Sequence, residues 1–227
     1  AMVCNFPSNS PSLLSHSEVE TFFHEFGHIL HGVVTRAKYV KFSGTSVAWD
    51  FVEAPSQVLE NWCWDADILN RIARHVKDPS KKISKDFVEK MSKAHKAGMG
   101  MFYRRQLSFA KADLEFHTSG EVKNSTDIMN RVLSETFLPP PSDTAFQAGW
   151  GHMVGYASGY YGYAWADVMA ADMFSLFKKN GLLDPATGRR LRAEIYEPGS
   201  GRDELESLEK FLGRSLSDEA FFEQLGV

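Results

Sequence analysis

The stretch SHSEVETFFHEFGHILHGV, residues 15–33, predicts one long amphipathic helix. Ser15 and Glu18 form a capping box, in which each side chain binds the backbone N–H of the other residue and so starts the helix. Apolar side chains then recur every three or four residues. They are Val19, Phe22, Phe23, Phe26, Ile29, Leu30 and Val33. We therefore expect a half-buried helix with this apolar stripe against the rest of the protein.

Two histidines in this helix, His24 and His28, follow the pattern HExxH. Residues four apart share one helix face, so both imidazoles can reach one Zn²⁺ while Glu25 points toward its open coordination position. A catalytic zinc needs a third protein ligand and keeps one position for water. Glu53, in an acidic run at the start of a second predicted helix, supplies that ligand. The pattern is typical of a hydrolase.

Each of these residues also has a purely structural interpretation. In that interpretation Glu25 is an exposed helix carboxylate, and Glu53 is an N-terminal charge favoured by the helix dipole. His31 returns to the same helix face, but at 1.5 Å per residue it lies about 10 Å along the axis from His24 and cannot share the ion. The longer zinc pattern HExxHxxGxxH is excluded, because position 31 is His and position 34 is Val. A carboxylate remains as the third ligand.

Apolar periodicity predicts helices over most of the chain, so the expected fold class is mainly α. The predicted ranges are 16–34, 50–62, 65–77, 85–117, 126–137, 160–179, 189–196, 204–212 and 218–224. The helix at 85–117 is the longest of these and is expected to be a central packing helix. The apolar run at residues 1–6 predicts a minor β element near the N-terminus.

The segment 149–162 carries five glycines interleaved with aromatic residues. Each glycine costs a helix about 1 kcal/mol relative to alanine, so no regular helix is expected there. The functional interpretation is a flexible lid that brings Tyr160 and Tyr163 onto a bound substrate. The alternatives are a plain loop, and a buried i, i+3 aromatic pair at the start of the next helix.

Composition narrows the class of protein. Hydrophobic residues make up 43%, and 25 basic against 29 acidic groups leave a net charge of −4, so there is no global basic field for nucleic acid. No apolar run approaches the ~20 residues of a membrane span. Cys4 and Cys63 are expected to be free thiols in a reducing compartment. The expected location is cytoplasmic, with a mitochondrion or another organelle as the alternative.

Longer strings point to one family. The run from residue 22 to residue 64 contains HEFGH at 24–28, FSGT at 42–45 and DFVEAPSQ at 50–57. A second run at 151–165 reads GHMVGYASGYYGYAW, and a third at 211–214 reads FLGR. With these strings the chain closely resembles the thimet oligopeptidase family of zinc metallopeptidases.

The resemblance implies a metal site. His24, His28 and Glu53 match the family's zinc ligands, with one Zn²⁺ per chain, and Glu25 matches the residue that activates water. Gln57, one turn after Glu53, is our candidate for a residue that supports the ligands from behind.

The resemblance also implies substrate contacts. Tyr160 and Tyr163 match tyrosines that hydrogen-bond the substrate carbonyl as it becomes an oxyanion, and a fixed phenol beside a Lewis-acidic metal can stabilise that charge. His152 and Tyr156 match nearby substrate-contacting positions. Trp49 precedes the DFVE string, where animal endopeptidases of the family tend to have an arginine, and it is assigned to the same surface.

The implied activity is zinc-dependent hydrolysis of internal peptide bonds in short peptides, with Glu25 as general base. Two alternatives stay open: release of C-terminal dipeptides, and a noncatalytic zinc-containing module that binds peptides. Family members are much longer than 227 residues. Residues 1–227 are therefore expected to be the C-terminal catalytic portion of a larger two-lobed helical enzyme, with the N-terminal part of the same enzyme as partner and neither nucleic acid nor membrane involved.

Overall fold

The computed structural model describes residues 2–8, 12–120 and 123–227, and within these ranges it contains helices and loops but no strand. The α-helices are α1 His16–Val33, α2 Ala54–Glu60, α3 Ala66–Ile72, α4 Lys85–His117, α5 Ser125–Thr136, α6 His152–Gly155, α7 Tyr161–Asn180, α8 Pro185–Leu191, α9 Glu204–Leu212 and α10 Glu219–Leu225. Short 3₁₀ turns lie at Val40–Phe42, Asn61–Trp64, Phe146–Gly149 and Gly199–Gly201, and a π-helical turn lies at Arg192–Tyr196. The expectation of a mainly α fold is confirmed.

Local capping explains where most helices begin. The capping box of α1 is present: Ser15 accepts the backbone N–H of Glu18, whose carboxylate accepts the backbone N–H of Ser15. Side chains also cap α3, α4, α5, α8 and α9. The capping residues are Asp65, Ser84, Asn124, Asp184 and Asp203. Each cap satisfies backbone N–H groups that the first helical turn leaves without a partner.

The prediction that the second helix begins at residue 50 is wrong. Residues 49–53 form turns, and α2 begins at Ala54. A helix from residue 50 would place Pro55 in its interior, where the ring clashes with the preceding turn. In the observed helix Pro55 lies in the first turn, which tolerates proline.

Two other helix boundaries differ from the prediction. The third helix ends at Ile72 rather than near residue 77, and the ring of His75 accepts the backbone N–H groups of Lys77 and Asp78. Such local bonds compete with helix continuation. The helix predicted from residue 189 begins earlier, at Pro185, in the first helical position that favours proline.

The predicted β element at the N-terminus is not found, because none of residues 2–8 lies in a strand. A strand needs a neighbouring strand to share its backbone hydrogen bonds. No segment within the described ranges provides one.

The central helix of the fold is α7, which contacts α2, α4, α9 and α10. Its residues Ala166, Met169, Met173, Phe174 and Phe177 lie in the main core. A helix that is buried on several sides is mostly apolar around its circumference, and in this one Asp172 is the exception among the fully buried positions. The core is therefore built around the helix that follows the glycine-rich segment.

The prediction of a central role for the helix at 85–117 is wrong in part. Along α4 only Val88 and a few residues between 108 and 113 are buried, whereas Met101 and Leu107 are about half exposed. A helix of 33 residues extends for about 50 Å, which exceeds the core that it can cover. Its C-terminal part forms a second core with α5, on which Trp150 and Tyr160 pack.

The apolar stripe predicted for α1 is only partly right. Leu30 packs on the main core, but Phe22 and Phe26 are 38% and 41% exposed and stack on each other. The most buried positions of the helix are Gly27 and His31. They face the rest of the protein because α2 packs against this side of α1.

The structure also describes the two cysteines and the apolarity of the helices. Cys4 and Cys63 are free thiols. Within the described ranges, every helix falls short of the combined length and apolarity that crossing a bilayer requires.

Candidate metal centre and adjoining cleft

Three side chains converge between α1 and the start of α2: His24, His28 and Glu53. The Nε2 atoms of the histidines lie 3.2 Å apart, and each lies 3.1 Å from Oε2 of Glu53. An ion bound tetrahedrally at about 2.0–2.1 Å holds its ligand atoms about 3.3 Å apart. The donor set and its spacing therefore fit one zinc ion.

A glycine lets the two helices approach closely enough to form this group. A Cβ at Gly27 would lie 2.6 Å from Cα of Ser56 on α2, closer than real side chains allow. The Ser56 hydroxyl donates to the carbonyl oxygen of Glu53 at 2.8 Å and contacts its carboxylate at 3.2 Å. Close packing and this hydroxyl together aim Glu53 at the histidines.

Glu53 occupies the N-cap position of α2 and makes no capping hydrogen bond. The expectation that Glu53 lies inside the start of the second helix is therefore wrong. The carboxylate faces the two histidines instead of the helix N-terminus.

Glu60 was missed as a site residue by sequence analysis. Its Oε1 lies 2.7 Å from Nδ1 of His24, on the side of the ring away from Glu53. A carboxylate in this position fixes the tautomer and orientation of a metal-binding histidine. The signal in the sequence is its spacing, two helical turns after Glu53 on the same side of α2.

Gln57 does not reach the histidines as a supporting residue. Its Nε2 instead donates to the backbone carbonyl of Tyr163 at 3.4 Å. The amide thus connects α2 to the start of α7, while the supporting contact to His24 comes from Glu60.

The charges of the group are strongly coupled. Burial opposes protonation of His24, but hydrogen bonds to Glu53 and Glu60 outweigh it and raise the pKa of His24 to about 10. Burial alone would raise the pKa of Glu53, yet hydrogen bonds from both histidines lower it. A metal that binds here must displace the proton held by His24.

His31 lies outside the metal group, as its spacing predicts. Its ring is fully buried and packs edge-on against Tyr196, with centroids 5.7 Å apart. Burial, with a smaller contribution from His28, lowers the pKa of His31 to about 4. It is a neutral core residue.

Glu25 is partly buried beside the group, directly after His24 in α1. Within the described ranges its carboxylate makes no hydrogen bond or ion pair. It is therefore available to a water molecule or a substrate.

A cleft of about 400 Å³ opens beside the metal group and has Glu53 in its wall. The remaining lining comes from two segments, residues 49–52 and residues 152–163. They meet closely because Gly162 packs against Asp50, where a Cβ would lie 3.2 Å from Cα of that residue.

The predicted substrate-contacting residues His152, Tyr156 and Trp49 line this cleft. Tyr160 lines an adjoining cavity that shares His152 and Tyr163 with it. The ring of His152 lies 4.9 Å from Tyr156, 4.9 Å from Tyr160 and 5.8 Å from Tyr163. Trp49 packs edge-on against Tyr156 at 5.2 Å. Residues more than 100 positions apart are thus placed side by side.

The two predicted oxyanion donors differ in their hydrogen bonds. The hydroxyl of Tyr160 donates to Oε1 of Gln106 on α4 at 2.7 Å. The hydroxyl of Tyr163 makes no hydrogen bond with any residue of the described ranges. Burial, and next the carboxylate of Glu53, raise the pKa of Tyr163 to about 12, so its phenol is protonated at neutral pH.

Behind the metal group lies one more carboxyl group, that of Asp167 on α7. The hydroxyl of Tyr103 donates to its Oδ2 at 2.7 Å. Burial raises the pKa of Asp167 to about 7 in spite of this hydrogen bond. Sequence analysis gave no signal for it, because the pair joins α4 and α7 across 64 residues.

The glycine-rich segment has little regular structure, as predicted. A 3₁₀ turn at Phe146–Gly149 leads into it, and it contains the one-turn helix α6. Val154 and Tyr156 are exposed. Its movement as a lid stays a prediction.

Comparison with known proteins agrees with the sequence strings. A family profile described as "Peptidase family M3" matches residues 1–227. The chain is 39% identical to the thimet-like oligopeptidase of Dictyostelium discoideum, over 100% of this chain and 35% of that protein. Two relatives from Arabidopsis thaliana also match over 100% of this chain. An organellar oligopeptidase A is 38% identical over 30% of its own length. A probable cytosolic oligopeptidase A is 37% identical over 34% of its own length. This chain therefore spans about a third of the length of these relatives, and it belongs to peptidase family M3.

Proposed function

We propose that residues 1–227 are the catalytic portion of a zinc-dependent oligopeptidase that hydrolyses internal bonds of short peptides. The observation that carries this proposal is the spacing of His24, His28 and Glu53 for one ion, at the wall of a cleft that is also lined by Tyr163. The names of the similar proteins support oligopeptides as the substrate class.

Each residue of the site has a distinct role in this proposal. Zinc, when bound, supplies Lewis-acid chemistry that polarises a carbonyl and makes water more acidic. Glu25 takes a proton from the attacking water and later gives it to the leaving amine. Tyr163 donates a hydrogen bond to the carbonyl oxygen as negative charge develops there. Glu60 holds the ring of His24 in orientation.

The cleft surface suits the side chains of a peptide. Trp49 and Tyr156 are 66% and 48% exposed and offer apolar contact area. His152 stacks on Tyr156 and packs edge-on against Tyr160. We assign His152, Tyr156 and Trp49 to substrate binding, and Tyr160 to support of Tyr163.

Internal cleavage and release of dipeptides differ in the group of the substrate that the site must bind. An enzyme that removes C-terminal dipeptides must bind the terminal carboxylate of its substrate, for which Arg or Lys is the usual group. Among the described residues that line the cleft there is neither. Peptides with blocked C-termini therefore separate internal cleavage from release of dipeptides.

The cleft is open on one side, and the N-terminal part of the same enzyme is proposed to complete it. The chain covers 35% of its relative's length. A second wall would hold the peptide in line with the metal and exclude water. We propose the cytoplasm as location, with an organelle as alternative, since the relatives include both types.

The test is hydrolysis by the full-length protein of peptides of graded length, with blocked and with free C-termini. We expect cleavage of internal bonds in both sets, loss of cleavage after chelation, and recovery with one equivalent of Zn²⁺. Release of dipeptides from free C-termini only would support the dipeptidase alternative. Tight peptide binding without turnover would support a noncatalytic module. Equal kcat/KM for residues 1–227 alone would show that the cleft is complete without further sequence.

A further inference from the structure

We infer that Asp113 on α4 is a positioning residue: it anchors the end of the glycine-rich segment at Ser158–Tyr160 and thereby places the phenol of Tyr163. The effect on catalysis, through Tyr163, rests on the proposed function. The structural part of the inference, the anchoring, is independent of any activity.

The anchor is a buried carboxylate with both oxygens engaged. Oδ1 of Asp113 accepts the backbone N–H of Ser158 at 2.9 Å, and Oδ2 accepts the backbone N–H of Tyr160 at 2.9 Å. The side chain is fully buried, and the ring of His117 lies 3.0 Å from Oδ1. Charge-assisted hydrogen bonds in a dry environment are strong and directional. They hold the two amides in one orientation.

The backbone that Asp113 binds is in an unfavourable conformation. Ser158 has φ of 60° and is the one non-glycine residue at positive φ within the described ranges. Such a residue persists where its surroundings hold it, and successive N–H groups in this geometry form a concave anion site. The carboxylate fills that site from within the chain.

The same face of α4 also holds the side chain of Tyr160. Phe109 packs edge-on against its ring with centroids 5.7 Å apart, and Gln106 accepts its hydroxyl. Positions 106, 109 and 113 follow the three-to-four residue spacing of one helix face. Tyr160 is thus held at its backbone, its ring and its hydroxyl by one helix.

Tyr163 depends on this arrangement because it follows Tyr160 by one turn. The two rings lie 5.4 Å apart, and α7 begins at Tyr161. Because residues 158–160 hold the start of α7, they fix where the phenol of Tyr163 lies relative to Glu53. Residues 151–157 make no hydrogen bond with α4 within the described part of the chain.

The central experiment is Asp113→Asn in the full-length enzyme. The amide keeps the size of the side chain but replaces one acceptor oxygen with a donor. We expect kcat to fall roughly 10- to 100-fold, the cost of a small misplacement of a catalytic group. KM and zinc content should stay unchanged. A fall in kcat/KM that is due to KM alone would overturn the inference.

A matched control is Asp172→Asn. Asp172 is also a buried carboxylate, 1% exposed, and accepts the backbone N–H of Ser217 at 2.8 Å beside Arg214. It lies outside the site, so its variant should lose stability while kcat stays at the wild-type value. An equal fall in kcat for both variants would mean that any buried carboxylate has this effect, and the positioning role would be wrong.

A double variant tests whether Asp113 acts through the phenol. In a Tyr163→Phe background, Asp113→Asn should cause little further loss of kcat, because the group that it places is already absent. If the two losses multiply, Asp113 does not act through Tyr163.

Hydrogen exchange tests the anchor without reference to activity. The amides of Ser158 and Tyr160 should be protected in the wild type and exchange faster in Asp113→Asn, with the Ser217 amide unchanged. Unaltered exchange at residues 158 and 160 would overturn the anchor. Should Asp113→Asn not fold, Asp113→Glu provides the same test, because a longer side chain displaces both acceptor oxygens from the amides of Ser158 and Tyr160. If the wild type has no peptidase activity, the proposed function is wrong. The hydrogen-exchange result would then still decide whether Asp113 anchors the segment.

Discussion

Glu60 binds His24 from behind the candidate metal site, with Oε1 of the carboxylate 2.7 Å from Nδ1 of the ring. The other ring nitrogen, Nε2, lies 3.1 Å from the carboxylate of Glu53. One imidazole is therefore held between two carboxylates, one of which shares the proposed metal. Orientation of His24 is set by α2, the same helix that Glu53 precedes.

We expect Glu60→Gln to weaken zinc binding by about 10- to 100-fold, because an amide supports the histidine less well than a carboxylate. Competition with a chromophoric chelator measures the affinity. Gln57→Ala is the matched control on the same helix and should bind zinc as the wild type does. Equal affinities for wild type and Glu60→Gln would refute the supporting role.

The folded chain should bind one Zn²⁺ through His24, His28 and Glu53, which are spaced for a single ion. Metal analysis of purified protein should give one equivalent for the wild type and almost none for His28→Ala. His95→Ala, at an exposed histidine on α4, should retain the metal. Equal metal content in His28→Ala and the wild type would contradict the ligand assignment.

Glu25→Gln should keep the fold and the zinc but lose nearly all turnover, because an amide cannot accept a proton from water. We expect a fall in kcat of about 10²–10⁴. Steady-state kinetics at equal zinc content is the measurement, with the exposed Glu89→Gln as control. Near wild-type cleavage by Glu25→Gln would remove Glu25 from the mechanism.

Tyr163→Phe should lower kcat by about 10²–10³, the effect of losing one oxyanion donor, with a smaller change in KM. Tyr160→Phe should have a smaller effect, because its hydroxyl is bonded to Gln106. The exposed Tyr39→Phe serves as control. A change in KM alone would mean a ground-state contact, and lost thermal stability with unchanged kinetics would indicate a packing role.

The stability of the protein should depend on the protonation of Asp167. Burial raises the pKa of Asp167 from 3.8 to about 7. The folded protein therefore favours the protonated carboxyl group. This contribution to the free energy of unfolding is complete below the unfolded pKa and is lost as the pH rises through about 7. Asp167→Asn should therefore gain stability relative to the wild type across this window, by roughly 2–4 kcal/mol at the upper end. Thermal unfolding from acidic to mildly alkaline pH measures it. A constant difference between the two proteins would show that the pKa is not raised.

The sequence by itself determined the features that depend on local spacing. The capping box of Ser15 and Glu18 started α1 where it was predicted, and the four-residue spacing of His24 and His28 placed both rings on one side. These features depend on helix geometry and on side chains bonding to their own backbone, which act within a few residues. The mainly α fold followed from the same periodicity.

Only the tertiary structure decided which distant residues meet. Glu60 could be found as the partner of His24, and Asp113 as the anchor of Ser158, once α2 and α4 were in place. Packing also determines that α7 rather than α4 is the central helix. It determines as well that α1 contacts α2 at Gly27. Periodicity shows that a helix has an apolar side but not which helix covers it, since burial is decided by shape and close approach between segments far apart in the chain.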